Sequence, residues 1–199
     1  MKKVFNLLMM LAVVTCMVSC HKTKKENAKE QTTAENVLVV ESVTSTDRQD
    51  MFLNYAENYK WFETSIVLKD YLDSEESDGT VESVTNVFQI ITDIDETSAD
   101  IRVLLFTHTT DTVAKEVIQG FWVGDDALND EEIKIKFNDA YEALMATNIP
   151  KPHSRQVVLR EEVGPKAVNP QYIFGNTKAQ VYVDAVTGDV TDKNPAFDE

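Results

Sequence analysis

Hydrophobic and polar positions divide the chain into three stretches. Residues 4–18 are almost all apolar and follow Lys2 and Lys3. Residues 21–36 contain nothing more apolar than Ala. From Val37 onward the pattern becomes periodic. Residues 37–40, Val-Leu-Val-Val, read as a short strand. Thr46 with Gln49 three residues later is a capping-box signal, and Met51, Phe52, Tyr55 and Tyr59 share one helical face. Phe62, Ile66, Leu68 and Leu72 then fall among polar residues as a strand with one buried face, and Val84, Phe88 and Ile90 repeat the pattern. Ile101, Val103 and Leu105 face one way and Leu104 and Phe106 the other, which predicts a strand covered on both sides. A fourth strand is expected over residues 117–123.

The period then switches. Ile133, Phe137, Ala140, Tyr141 and Leu144 follow helical spacing, and the helix should stop near Thr147 because Pro150 and Pro152 cannot continue it. Strands are expected over 156–163, 171–174 and 179–185, with a last short one at Val190. Short polar turns between consecutive strands imply antiparallel pairing. The predicted fold class is α+β: antiparallel sheets, each with a helix packed on one face. Two tandem helix-plus-four-strand units are expected, at 37–126 and 127–199, behind a signal peptide at 1–19 and a flexible tether at 20–36.

The leader gives an address. A basic start and an apolar core of about 15 residues, short of the ~20 needed to span a bilayer, make a secretory signal. Its exit, Met17-Val18-Ser19-Cys20, resembles the bacterial lipobox, although Leu is more usual where Met17 stands. The resemblance implies cleavage before Cys20, acylation of its thiol and new amino group, and anchoring in the bacterial cell envelope. Two or three acyl chains hold a protein stably where one is marginal. The spacer behind it would reach on the order of 20 Å from the membrane. Cys16 and Cys20 are the only cysteines, so the processed chain would carry no free thiol for catalysis or metal binding.

Composition narrows the partners. Of 199 residues, 34 are acidic and 19 basic, a formal charge of -15, which argues against nucleic acid and favours a basic protein partner. The 43% hydrophobic content is too high for a disordered chain.

The closing residues 180–190, QVYVDAVTGDV, resemble the end of a PepSY domain, and residues 135–140 and 156–163 are similar to its helix start and first strand. Lys136 stands where that family often has a Ser or Thr cap. The resemblance covers roughly 133–192 and implies a non-catalytic domain that inhibits or regulates peptidases. Within it Asp184, Thr187 and Gly188 read as a structural turn, with Gly188 supplying positive φ and Asp184 accepting from turn amides. The tandem arrangement also looks, at fold level alone, like the beta-lactamase-inhibitor-protein fold.

Candidate chemistry is sparse. His21, His108 and His153 have no second His or Cys at zinc-ligand spacing. The acidic loops 73–82 and 93–100 could attract calcium but miss the EF-hand pattern: counting from Ser74 puts Gly79 at position 6 and Thr85, not Glu, at position 12. Ser154 beside His153 is adjacency, not a triad, and no Gly-rich phosphate loop occurs. No catalytic residue, cofactor or metal site is therefore assigned. On a strand Phe121 and Trp122 point to opposite faces; the pair reads first as core, and as the alternative one of the two is exposed and marks a partner patch. The leading expectation is a lipid-anchored, non-enzymatic envelope module that binds or inhibits a peptidase or another basic protein. A ligand-binding protein of the envelope, and a hydrolase using a carboxylate pair, stay open as alternatives.

Overall fold

The computed structural model describes residues 37–197, except 57, 96, 97 and 125. The apolar leader, the spacer and Cys20 lie outside the described residues. The elements run α1 (Val40–Tyr55), β1 (Tyr59–Leu68), β2 (Val81–Asp95), β3 (Ser98–Thr109), β4 (Val113–Gln119), α2 (Phe137–Met145), β5 (Gln156–Arg160), β6 (Gln171–Asn176), β7 (Ala179–Asp184) and β8 (Val190–Thr191). The strands form one eight-stranded sheet in the order β4-β3-β2-β1-β5-β6-β7-β8, with every neighbouring pair antiparallel. The fold is α+β, with the helices packed on the sheet. β1 and β5 meet at the centre through pairs such as Ile66 with Val157 and Thr64 with Leu159. Among the described residues no helix is long and apolar enough to cross a membrane.

One face of the sheet carries the core. Ile66, Val84, Phe88, Leu104, Val157, Phe174 and Val183 are buried there against Met51 of α1 and Phe137, Ala140 and Leu144 of α2. The two helices are built differently. α2 buries Phe137, Ala140, Tyr141 and Leu144, an apolar i, i+3, i+4, i+7 stripe that the sequence displays directly. α1 buries Val40, Thr44, Asp47 and Met51, so its buried stripe is half polar and its hydrophobic pattern is faint. This corrects three expectations. Val40 is the first residue of α1, so residues 37–40 form no strand. Thr46 is inside the helix, its hydroxyl donating to the Ser42 carbonyl at 2.9 Å instead of capping. Phe52 stands exposed, and Tyr59 belongs to β1. β4 also differs, occupying Val113–Gln119 instead of 117–123, because Gly120 turns the chain out of the ladder with φ +125°.

α1 fixes the start of α2. Lys136, the residue before α2, offers no side-chain cap. Glu41 of α1 takes that role: its Oε1 accepts from the Phe137 amide at 2.7 Å, filling one of the four donor positions that a helix start leaves open. A carboxylate there also faces the positive end of the helix dipole. Seven residues along α1, Arg48 pairs with Asp130 at 2.6 Å and lies 5.5 Å from the Trp61 ring centre. Backbone amides of Lys134 and Ile135 both donate to the Ala185 carbonyl, and Tyr172 Oη donates to the Ile135 carbonyl. Glu41→Ala is expected to lower the unfolding free energy by about 1 kcal/mol, the usual cost of a lost cap, with Glu41→Gln keeping most of it. Urea unfolding midpoints measure this, and an unshifted midpoint for Glu41→Ala would remove the cap from the account.

Candidate functional site

The densest polar cluster lies between α1 and the sheet. Asp47 is 3% exposed, and His108 of β3 places Nε2 at 2.8 and 2.9 Å from its two carboxylate oxygens. Asn86 of β2 donates Nδ2 to Asp47 Oδ2 at 2.7 Å. Its Oδ1 accepts from Thr44 Oγ1 at 3.0 Å and from Thr64 Oγ1 at 2.5 Å. Trp61 Nε1 donates to the Glu63 carbonyl and to Thr64 Oγ1. Burial raises the Asp47 carboxyl above its ordinary range, while hydrogen bonds from Asn86 and His108 pull it down and nearby Asp50 pushes it up. Lys115 approaches Asp50 at 3.5 Å and lies 4.6 Å from the Phe106 ring centre. The hydroxyls point at Asn86, not at the imidazole, so the group forms no nucleophile–base pair. Its chemistry is that of an anchor. Sequence reading missed it because Thr44 and Asp47 keep helical register with Val40 and Met51, a stripe visible only when polar residues are admitted to it.

The other sequence candidates are dispersed. His153 is exposed, stacks on Tyr71 at 4.3 Å between ring centres, and approaches Asp73 with Nδ1 at 3.0 and 3.1 Å. Ser154 is buried, and its Oγ accepts from the Gln156 amide, so the neighbouring serine and histidine are not brought together. In the loop 73–82, Asp78 accepts from the Thr80 amide at 2.8 Å, and hydrogen bonding from Thr80 holds its carboxyl below the usual range. Gly79 lies against the Tyr141 ring, whose hydroxyl donates to Ser77. Asp100 pairs with Arg102 and accepts from Gln119, and the Arg102 contact lowers its carboxyl. Among the described residues no group of three or more His, Cys, Asp or Glu is arranged to hold a metal. At the last turn Asp184 Oδ1 accepts from the amides of Val186 at 2.8 Å and Thr187 at 2.9 Å. Gly188 adopts φ +81° there, and the Thr187 hydroxyl donates to Asp189.

The sheet face opposite the helices is open only in part: Val87, Val103, Ile173 and Tyr182 on it are buried, while its middle is half-exposed. One register row runs Thr107, Thr85, Ser65, Val158, Ile173, Tyr182 across six strands. Its first four side chains are small and half-buried. Beside it lies a shallow depression of about 310 Å³ floored by Val158 and Ile173 and rimmed by Gln156, Arg160, Asn176 and Gln180. After β4 the chain crosses the far end of this face. Phe121 is 72% exposed, whereas Trp122 is half-buried and its amide donates to Gln89 Oε1 at 2.9 Å. The pair is thus split: Phe121 outward and Trp122 inward. Sequence reading did not find Gln89, whose position on β2 gives no local signal.

Beyond the crossing, Glu161 is crowded by carboxylates. Partial burial, then Asp126 and Glu132, push its pKa to about 7.

No protein-family model matches the chain, and no curated protein or solved structure matches it either.

Two outcomes are expected. Asp47→Ala leaves His108 and Asn86 without their buried partner and should cost about 3 kcal/mol in urea unfolding, whereas Asp50→Ala, at a half-buried position with water access, should change little. A loss at Asp47 no larger than at Asp50 would refute the anchor role. For Glu161, the folded-state pKa lies above the unfolded value, so its protonated form favours folding and that contribution fades as pH rises through about 7. Glu161→Gln should therefore match the parent in Tm near pH 4 and exceed it at pH 8; equal Tm values at pH 8 would contradict the crowding.

Proposed function

We propose that this chain is a lipid-anchored protein of the bacterial cell envelope, acting as a non-catalytic binding or inhibitory module that regulates a peptidase. Two tandem PepSY-like units, 37–126 and 127–199, build it, and Cys20 carries the lipid. The observation that carries this reading is the helix-free sheet face, whose middle row of Thr107, Thr85, Ser65 and Val158 stays half-buried, while the buried polar cluster at Asp47 serves to hold α1 in place. A face with small side chains along its middle accommodates a protruding partner segment. The acidity of the chain, -15 overall, favours a partner with a basic surface and makes association salt-sensitive. The lipobox-like exit of the leader supports the anchor.

The depression over Val158 and Ile173 favours a second reading, a small ligand or peptide held on the same face. Ligand stabilisation separates the two: a thermal shift of several degrees with one metabolite or peptide class, in the absence of protein partners, would favour the ligand reading.

Two measurements test the main proposal. Labelled palmitate should enter the parent protein and not Cys20→Ser; an unacylated, freely diffusing product would end the anchoring claim. Ser65→Arg places a long cation among small side chains in the middle of the open face. It should weaken association with an envelope peptidase at least tenfold while leaving Tm nearly unchanged. Undiminished association would exclude this face as the binding surface.

A further inference from the structure

The segment that leaves β4 is held at several points, yet it presents two large apolar side chains to water. Gly120 sets φ +125°, a conformation reserved for glycine, and its amide donates to the Ile101 carbonyl at 3.0 Å. A side chain at Gly120 would meet nothing within 4 Å, so the backbone angle and not space requires glycine there. Trp122 is tied to Gln89, a side chain only 8% exposed. Gly124 lies so close to Phe62 that an added Cβ would come within 3.1 Å of the ring. The chain returns where the Leu128 amide donates to the Trp61 carbonyl at 2.7 Å. Between these anchors Phe121 is 72% and Val123 88% exposed. Among the described residues no hydrogen bond engages the amide of Phe121 or of Val123.

We infer that residues 120–124 form the element that enters a peptidase's substrate cleft, with Phe121 seated in an apolar specificity pocket. This rests on the peptidase-regulator reading above and names its contact point. The chemistry is that of substrate recognition: clefts of this kind read free main-chain amides by hydrogen bonding and alternate side chains by pockets. Here Phe121 and Val123 supply outward side chains and free amides, while Trp122 faces inward as the anchor. Holding the segment before binding reduces the ordering cost that a mobile substrate must meet. Asp126, two residues past the segment, and the formal charge of -15 of the whole chain favour a cleft with a basic rim. A second copy of this chain, equally acidic, is disfavoured as the occupant.

The test is steady-state inhibition by the full chain in detergent, with chymotrypsin and thermolysin as probes because both accept large apolar side chains. Inhibition of at least one is expected, competitive with a peptide substrate. Phe121→Ala should raise the inhibition constant at least tenfold; the side chain is exposed, so the fold should persist, as circular dichroism would show. Gln89→Ala keeps Phe121 but loosens its support and should weaken inhibition several-fold, a loss that a purely hydrophobic contact would not suffer. Inhibition that survives Phe121→Ala unchanged overturns this segment as the contact while leaving a peptidase regulator that binds through the sheet face. Failure to inhibit either probe, or rapid cutting after Phe121 without inhibition, overturns the inference.

Discussion

The buried carboxylate of Asp47 is the constraint on which the rest of this fold depends. A charge taken out of water must be compensated by hydrogen bonds, and here only one placement of α1 supplies them: over Asn86 of β2 and His108 of β3, with Thr44 and Thr64 completing the amide's bonding. α1 makes little use of hydrophobic burial, since Thr44 and Asp47 occupy half of its buried positions. Polar geometry therefore sets its position more tightly than an apolar stripe would, because apolar packing tolerates sliding and a hydrogen-bonded carboxylate does not.

From that placement the connections to the second half follow. Glu41 reaches the first amide of α2, and Arg48 reaches Asp130 in the connector before it. The helix that packs on β1 and β2 thus also caps the helix that packs on the strands beyond β5. The sheet is continuous through the β1–β5 pairing, so one face receives both helices, and the segment 120–124 crosses one end of the other. The same division separates the two kinds of polar chemistry. Groups on the helix side are saturated by one another. Those on the open side include amides and hydroxyls of Gln156, Thr85 and Ser65 that remain partly in water.

Much of this architecture was legible in the residues. β2 and β7 announced themselves by alternation, and β3 and β6 by apolar side chains on both faces, since Val103 and Ile173 are buried away from the helices as Leu104 and Phe174 are buried against them. α2 showed its stripe and its terminating prolines. α1 was misread by several residues because hydrophobicity marks burial only where burial is apolar. β4 was misread for the opposite reason. All seven of its residues are exposed, so no buried periodicity marks it, and the apolar run of Phe121, Trp122 and Val123 beyond it drew the assignment forward. The unusual Lys136 at the α2 cap was visible as a departure, but nothing local indicated that Glu41, far away in the chain, would replace it.

The amino-acid order by itself determined the antiparallel α+β class, the alternation within strands, and the Gly188 turn with its Asp184 acceptor. Each of these rests on contacts or chemistry within a few residues. Tertiary structure alone decided that β1 and β5 are neighbours, that Asp47 meets His108, that Gln89 holds Trp122, and that Phe121 faces water. Those outcomes join residues far apart in sequence, and local periodicity carries no information about which distant groups must satisfy one another once water is excluded.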